Sequence, residues 1–411
     1  MSNATTSTPK DKIKIVLLEG IHPSAVELFE KDGYKNIFTA AKSLPESELE
    51  EVLKDAHFLG IRSRTQVTAE LLEKAPKLAA IGCFCIGTNQ VDLVATTKRG
   101  IPVFNAPFAN TRSVAELVLA EIILLLRGVP AKSAGAHRGE WQKSAANSYE
   151  TRGKTLGIVG YGHIGTQTGI LAEGLGMTVQ FYDIEKQLSL GNASPVDTYH
   201  ELLSTSDVVT FHVPETPQTK NMMDKEAFAK LKNGAILINA SRGTVVDIDE
   251  LTNALESGRV LGTAIDVYPI EPKSNQDEFI SKLRAFDNAI LTPHIGGSTK
   301  EAQVNIGIEV SEKLVKYSNN GSTLSSVNFP EVGLPALVGK HRICHIHHNE
   351  PGILAKINDI FSNTGVNISA QYLQTNEHVG YVVTDIDQAS SNQAFKELKQ
   401  IEGTVRSRIL Y

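Results

Sequence analysis

The sequence predicts an α/β protein with two parallel, helix-covered sheets and a C-terminal module of the order βαββαβ. Short apolar runs alternate with helix-like segments over residues 13–292, which is typical of parallel sheets. A glycine-rich turn at 160–165 directly follows one apolar run and precedes a helix-like segment, as nucleotide-binding βαβ units require. Residues 342–411 show the βαββαβ order instead, which indicates a separate ferredoxin-like module.

Composition and charge narrow the class of protein further. The chain has 411 residues and a formal net charge of −6, so it is long enough for two or three domains and has no basic excess for nucleic acid. Cys83, Cys85 and Cys344 are too few for a disulfide framework. The apolar run 117–126 is too short to span a membrane. We expect a cytoplasmic protein with reduced cysteines, no nucleic-acid or membrane partner, and a disordered tail at 1–10.

The first hundred residues are predicted to form the first parallel sheet. Strands are expected at 13–18, 57–61, 78–82 and 101–104, with helices at 24–31, 45–56 and 69–74. Ser113 and Glu116 have the spacing of a capping box, which predicts a long helix running to about Leu126.

Six further apolar runs predict the second sheet. They are residues 156–160, 178–182, 207–211, 235–239, 262–267 and 289–292. Six such strands make a complete Rossmann sheet. A helix at 300–317 is expected to pack back on the first sheet, so the Rossmann domain interrupts the first domain.

The C-terminal elements complete the predicted organisation. Strands are expected at 343–347, 367–373, 380–385 and 404–410, with helices at 352–361 and 391–401. The expected domains are a substrate-binding domain (11–109 with 298–330), a nucleotide-binding domain (110–297), a linker (331–340) and the C-terminal module (341–411).

The glycine turn predicts where a dinucleotide binds. Gly160 permits the tight turn, Gly162 lets the backbone approach a pyrophosphate, and Gly165 allows close packing of helix on strand. Asp183 ends the next strand and can accept hydrogen bonds from ribose hydroxyls. No Arg or Lys follows it directly, since residues 184–185 are Ile and Glu. NAD is therefore favoured over NADP.

Three polar side chains follow consecutive strands of the second sheet, at the edge where open α/β sheets bind ligands. Removing a hydride from a hydroxyl-bearing carbon needs a base, and His294 is suited to accept the proton near neutral pH. Glu271 could hold the imidazole and favour its charged form. Arg242 could bind a carboxylate and polarise the neighbouring carbonyl. Each residue alone could be a solvated surface group, but their shared position favours a catalytic role.

Other polar groups have weaker signals. Arg62, Ser63 and Arg64 follow a strand and suit a phosphate or carboxylate, although a solvated basic loop would have the same sequence. Asn110 could donate to a substrate. Lys143 lies close in sequence to the only tryptophan, Trp141, which is more often an interface or core residue than a catalytic one.

Three histidines in the C-terminal module raise the question of a metal site. His345 and His347 share one face of a strand and His348 follows. No second ligand cluster supports a metal, so we favour a polar ligand site at this strand end, with Asn349 and Asn367.

The assembled motifs resemble the D-isomer-specific 2-hydroxyacid dehydrogenases over residues 12–330. The matching stretches are GYGHIG, the strand end at Asp183, INASRGTVVD, AIDVYPIEP and TPHIGGST. IRSRT, CFCIGTNQVD, FNAPFANTRSVAE and HIHHNEPGILAKINDIF are similar to those members that end in an ACT regulatory domain and act on 3-phospho-D-glycerate. The resemblance implies a Rossmann domain inserted in a flavodoxin-like substrate domain, followed by a ferredoxin-like ACT domain.

The resemblance also implies a function. It implies NAD-dependent oxidation of 3-phospho-D-glycerate to 3-phosphohydroxypyruvate, the first step of L-serine biosynthesis, in a homotetramer inhibited by L-serine. Reduction of 2-oxoglutarate to 2-hydroxyglutarate is an implied side activity. The alternatives are another 2-hydroxyacid dehydrogenase, which Arg62 and Arg64 argue against, and an NAD(H)-sensing binding protein that keeps the fold without turnover.

The family pattern assigns a role to each candidate residue. The implied catalytic residues are Arg242, Glu271 and His294. The implied NAD contacts are Gly160, Gly162, His163, Ile164, Gly165, Asp183, Ala240, Ser241, Arg242, Asp266, His294, Ile295, Gly296 and Gly297. The implied substrate contacts are Arg62, Ser63, Arg64, Asn110 and Lys143, of which Lys143 would reach a neighbouring subunit's site. The implied L-serine contacts are His347, Asn349 and Asn367.

Overall fold

A computed structural model describes residues 8–410 except 273, 275, 338 and 388–390. The chain forms two compact units. Unit 1 contains Met1–Ala109 and Gln303–Tyr411, and unit 2 contains Asn110–Ala302. The C-terminal module therefore shares a unit with the first sheet. Among the described residues, no helix combines the length and the apolar character needed to cross a bilayer.

Unit 1 begins with a five-stranded parallel sheet. Its elements are β1 (Lys14–Leu17), α1 (Pro23–Lys31), β2 (Asn36–Thr39), α2 (Glu46–Leu53), β3 (Phe58–Ile61), α3 (Ala69–Glu73), β4 (Ala80–Cys83), α4 (Leu93–Lys98) and β5 (Val103–Phe104). The strand order β2-β1-β3-β4-β5 is the predicted flavodoxin-like order. Both β3 and β4 are buried along their whole length, which explains their continuous apolar sequences.

Two elements of this sheet were missed by the sequence analysis. Strand β2 lies at the edge and is mostly exposed, so it has no apolar run. Helix α4 was missed because it is short. The residue that could have indicated its start is the N-cap Asp92, whose side chain accepts the Ala95 N–H at 2.8 Å.

In the predicted tail, Lys10 begins a short 3₁₀ helix and its Nζ lies 2.7 Å from Asp32 Oδ2. Residues 1–7 of that tail lie outside the described part.

Unit 2 contains a seven-stranded parallel sheet. Its elements are α5 (Thr111–Leu126), α6 (Val129–His137), β6 (Thr155–Val159), α7 (His163–Glu173), β7 (Thr178–Tyr182), β8 (Ser194–Pro195), α8 (Tyr199–Thr205), β9 (Val208–Phe211), α9 (Lys225–Lys230), β10 (Ala235–Asn239), α10 (Ile248–Glu256), β11 (Val260–Ile265) and β12 (Ala289–Leu291). The strand order is β12-β11-β10-β9-β6-β7-β8. The six predicted strands are confirmed. The seventh, β8, was missed because its two exposed residues carry no apolar signal.

The predicted capping box at the start of α5 is wrong. The helix begins directly after Asn110, whose side chain makes no capping hydrogen bond. The Ser113 hydroxyl lies 2.7 Å from Thr299 Oγ1, and Glu116 pairs with Arg112. Both box residues are therefore inside the helix and have other partners.

Unit 1 is completed by a long helix and the C-terminal module. The elements are α11 (Lys300–Asn320), β13 (His341–His348), α12 (Ile353–Asn363), β14 (Ile368–Thr375), β15 (Val379–Ile386), α13 (Ser391–Leu398) and β16 (Thr404–Leu410). Val310 and Leu314 of α11 pack in one core with β1, as predicted. The module is an antiparallel sheet of order β14-β15-β13-β16, which confirms the βαββαβ prediction.

Arginines of the C-terminal sheet connect it to the rest of unit 1. Arg342 is fully buried and forms a two-point ion pair with Asp385, with Nη2 2.7 Å from Oδ2. It also donates to the carbonyl of Asn320 at the end of α11, at 2.9 Å. Arg406 donates to the carbonyl of Leu78 at 2.7 Å. Because these donors are charged, the bonds are stronger than neutral ones, and they fix the module on the first sheet.

Candidate active site

The glycine turn after β6 has the shape that a dinucleotide phosphate requires. Gly160 has φ +90°, and a Cβ there would lie 2.5 Å from the carbonyl oxygen of His212, so only glycine fits. A Cβ on Gly165 would lie 2.2 Å from the oxygen of Gly160, so α7 packs closely on the turn. A Cβ on Gly162 would meet no atom within 4 Å. The protein's own packing therefore does not require a glycine at position 162. A ligand that approaches the backbone there does require one, because a side chain would block it.

The predicted ribose-binding carboxylate lies beside this turn. Asp183 Oδ2 accepts the N–H of Tyr161 at 2.7 Å, and Oδ1 accepts the N–H of Glu185 at 3.0 Å. The side chain is partly exposed. His163 and Ile164 form the first turn of α7, and the N-terminus of a helix favours an anion through its dipole. These residues fit NAD.

The loops after β10, β11 and β12 bring the three predicted catalytic residues together. His294 Nδ1 lies 3.0 Å from Glu271 Oε2, and both side chains are partly exposed. The hydrogen bond from Glu271 raises the pKa of His294. Burial is the largest single effect on Glu271 and would raise its pKa, but the hydrogen bond and charge of His294, the N–H of Tyr268 and the charge of Arg242 together lower the pKa. Arg242 is close enough to act electrostatically on both.

Asp266 holds the loop that carries His294. Its Oδ1 accepts the N–H of Ile295 at 2.8 Å and the hydroxyl of Thr292 at 2.6 Å, and its Oδ2 accepts the N–H of Gly296 at 2.8 Å. Only 2% of Asp266 is exposed. The resemblance implied a cofactor contact for Asp266, which stays a prediction; in the structure its carboxylate accepts from two backbone N–H groups and one hydroxyl of the protein.

The remaining residues predicted around the cofactor lie nearby in unit 2. The amide oxygen of Asn239 accepts the N–H and the hydroxyl of Ser241, at 3.1 and 2.8 Å, which fixes the turn containing Ala240. A Cβ on Gly297 would lie 2.2 Å from Asn110 Nδ2. Asn110 is therefore packed under the His294 loop, and it is buried.

The predicted phosphate-binding loop lies in unit 1. Arg62, Ser63 and Arg64 line a cavity of about 280 Å³. Sequence reasoning missed three further polar residues that line it, Glu19, Lys42 and Ser43. The Glu19 carboxylate accepts the N–H groups of Arg64 and Thr65 at 3.0 and 2.8 Å, so it anchors the loop. The strand-end rule that found Arg62 could also have found Glu19, which follows β1.

Lys143 and Trp141 lie on a segment of unit 2 without regular secondary structure. Lys143 is exposed, and 88% of Trp141 is exposed. The structure therefore places both residues on the surface of unit 2.

A single chain does not bring the three predicted effector residues together. His347 pairs with Gly380 on β15, and Asn349 follows β13. Asn367 precedes β14, whose first residue pairs with Ile386 at the other end of β15. Six residues of extended strand span about 20 Å. A ligand that contacts all three residues would have to lie between two copies of the chain.

The fold and this site define an NAD-dependent dehydrogenase. Residues 119–296 match the NAD-binding domain of the D-isomer specific 2-hydroxyacid dehydrogenases, and residues 343–406 match an ACT domain like that of the AHAS small subunit. Among the described residues, no group of three or more His, Cys, Asp or Glu side chains is placed to hold a metal ion.

Comparison with known proteins places the chain more closely. It is 62% identical to the D-3-phosphoglycerate dehydrogenase of Haemophilus influenzae over 405 residues, covering 98% of this chain and 99% of that one. It is 60% identical to the enzyme of that name from Escherichia coli, covering 99% and 100%. The structure of D-2-hydroxyisocaproate dehydrogenase aligns with a TM-score of 0.70 at 26% identity, covering 77% and 100%. The chain belongs to the D-isomer-specific 2-hydroxyacid dehydrogenase family.

We expect Glu271→Gln to lower the pKa of His294, because the carboxylate that stabilises the imidazolium is replaced by a neutral amide. The measurement is an NMR titration of the His294 ring, assigned with the His294→Gln variant. Glu278→Gln, an exposed glutamate of the same segment that pairs with Arg284, is the control and should leave the titration unchanged. An unchanged titration in Glu271→Gln would show that the contact does not set the charge of His294.

Proposed function

We propose that the chain oxidises 3-phospho-D-glycerate to 3-phosphohydroxypyruvate with NAD. The observation that carries the proposal is the His294–Glu271 pair beside Arg242, in the unit that also contains the NAD-binding turn. The full-length relatives named D-3-phosphoglycerate dehydrogenase support this substrate.

The three residues divide the chemistry between them. Bound NAD would provide the hydride acceptor. His294 takes the proton of the substrate hydroxyl as the carbonyl forms, and in the reverse direction its imidazolium returns that proton. Glu271 keeps the ring oriented and stabilises the imidazolium, which agrees with the raised pKa of His294. Arg242 binds the planar carboxylate through its guanidinium group and polarises the adjacent oxygen.

The loop of unit 1 is the proposed site for the phosphate. Arg62, Arg64 and Lys42 line one cavity, and guanidinium groups match the oxygens of a phosphate. Glu19 is the acidic residue of that cavity, and its carboxylate is occupied by two backbone N–H groups. We also propose that Asn110 contributes to substrate binding and that Lys143 reaches the site of a neighbouring subunit. An uncharged substrate end would leave the arginines without a counter-ion.

We further propose that L-serine inhibits the enzyme by binding between two ACT domains of a homotetramer. The separation of Asn367 from His347 and Asn349 within one chain supports a site shared by two copies. Strand β14 is an edge strand with exposed Ile368 and Leu373, and an unpaired edge can pair with a second copy. The three free cysteines support the expectation that the assembly is cytoplasmic.

His294→Ala is expected to reduce kcat on the order of 10²- to 10⁴-fold, because the acid/base group is lost. The measurement is steady-state oxidation of NADH with phosphohydroxypyruvate, together with NADH binding by fluorescence, which should be preserved. His200→Ala removes an exposed histidine of unit 2 and is the control. Near-normal turnover of His294→Ala would remove His294 from the mechanism, and absence of turnover in the wild-type protein would contradict the proposed substrate.

Arg64→Ala is expected to raise KM for phosphohydroxypyruvate by about tenfold or more, because a charge-assisted contact to the phosphate is lost. The same assay measures KM and kcat separately. Arg99→Ala is a suitable comparison, since Arg99 also belongs to unit 1 and pairs with Glu73 at the surface. Equal KM values for the two variants would place the phosphate elsewhere.

Asn367→Ala is expected to weaken inhibition by L-serine by about tenfold, because one side of the proposed shared site loses its amide. Turnover without serine should be preserved. Asn363→Ala, an exposed asparagine at the end of α12, is the control. Unaltered inhibition in Asn367→Ala would exclude this residue from the effector site.

A further inference from the structure

Unit 2 contains a buried carboxyl group that the proposed mechanism does not use. Glu121 lies on α5 and is only 2% exposed. Among the described residues, neither of its carboxyl oxygens has a hydrogen-bond partner. An ionised carboxylate without a partner is strongly disfavoured in such surroundings, so the group is expected to keep its proton.

The titratable groups that interact with Glu121 come from the segment after β11. Helix α5 packs against α6, α7, β10 and β11. Burial, reinforced by repulsion from Asp266, raises the pKa of Glu121 to about 8. Tyr268, whose hydroxyl donates to the carbonyl of Ile265 at 2.8 Å, is also affected by the charge of Glu121. Geometry also places Asp266 against this helix, because a Cβ built on Gly296 would lie 2.9 Å from Asp266 Oδ2 and 3.5 Å from Val114 Cγ2 of α5. Glu121 follows Val114 by seven residues and so lies on the same face of α5. The charged neighbour of Glu121 is therefore Asp266, whose carboxylate holds the His294 loop.

The loop depends on Asp266 for its conformation. His294 has φ +55°, a left-handed conformation that is uncommon for a residue other than glycine and is retained only where the surroundings enforce it. Asp266 accepts the N–H groups of the next two residues, Ile295 and Gly296. Any change in the position of the Asp266 carboxylate would therefore move the backbone that aims the imidazole.

We propose that Glu121 is a positioning residue, held as a neutral carboxylic acid so that Asp266 meets no second negative charge from α5. Loss of the Glu121 proton places a second negative charge against Asp266, which weakens its hold on the loop and displaces His294. The inference rests on the proposed role of His294. It makes alkaline loss of activity depend on a buried residue to which the proposed mechanism assigns no contact with substrate or cofactor.

The first test needs no enzymatic assay. The folded protein keeps a proton on Glu121 that the unfolded chain releases near its ordinary pKa, so the contribution of Glu121 to wild-type stability should fall as pH rises from about 4.5 to about 8. Glu121→Gln removes this dependence. Its unfolding temperature should rise relative to wild type across that window, by a few degrees, on the order of 3–5 °C. Parallel profiles for the two proteins would overturn the proposal.

Two further variants make this test specific. Glu116→Gln neutralises an exposed glutamate on the same helix, paired with Arg112, and should follow the wild-type profile. Glu121→Met is a second neutral side chain suited to an apolar site, and it should share the Glu121→Gln profile. If Glu121→Gln does not fold, Glu121→Met replaces it in the test. A dependence of unfolding temperature on pH in Glu121→Met that matches wild type would also overturn the proposal.

The second test addresses the positioning role. For each protein, kcat/KM measured at about pH 9.5 is divided by kcat/KM measured at about pH 7. We expect this ratio to be higher in Glu121→Gln than in wild type or Glu116→Gln, on the order of threefold or more. An identical ratio in all three proteins would reject a link between Glu121 and His294. If the wild-type protein does not turn over phosphohydroxypyruvate, the proposed function fails, whereas the unfolding profiles still decide the protonation of Glu121.

Discussion

The parallel pairing of β10, β11 and β12 is the constraint on which the site depends. Parallel strands run in the same direction, so their carboxyl ends meet at one edge of the sheet. Each of these strands continues into a loop that carries one functional residue. The loop after β10 carries Arg242, the loop after β11 carries Glu271 and the loop after β12 carries His294. Residues far apart in the chain thereby reach hydrogen-bond distance without any special sequence between them. The glycine turn after β6 lies at the corresponding edge of the same sheet, next to the point where the strand order reverses.

Three carboxyl groups of unit 2 have different surroundings and different partners. Glu271 faces a histidine, and Asp266 faces backbone N–H groups and a hydroxyl. Glu121 has neither kind of partner among the residues that the structure describes, and we infer that it retains its proton near neutral pH. The surroundings of each carboxyl group decide its charge. Glu271 stabilises the imidazolium, Asp266 holds the strained loop, and Glu121 is the neutral neighbour of Asp266.

The C-terminal module shows how a small sheet can be fastened to its neighbour in unit 1 by a few charged donors. Arg342 is buried and is matched by Asp385, while its remaining donors satisfy the carbonyls of Asn320 and Pro335. A buried ion pair is tolerated only when the other hydrogen-bonding groups are also satisfied. Because Asn320 ends α11, the module is tied to the end of a helix that packs on the first sheet.

Features that depend on a local pattern of residues could be predicted from the amino-acid sequence. Buried strands are continuous apolar runs, so the six main strands of unit 2 were predictable, and the glycine turn was recognisable because its geometry needs glycine at particular positions. Elements without an apolar signal, such as β2 and β8, were missed for the same reason. Only the tertiary structure decided which polar groups meet. Ser113 and Glu116 have partners other than those of a capping box. The carboxylate of Glu19 contacts the Arg64 loop, and Asp266 lies beside Glu121. The tertiary structure also separated Asn367 from His347, because the positions of polar side chains follow from strand order and register, which no local pattern encodes.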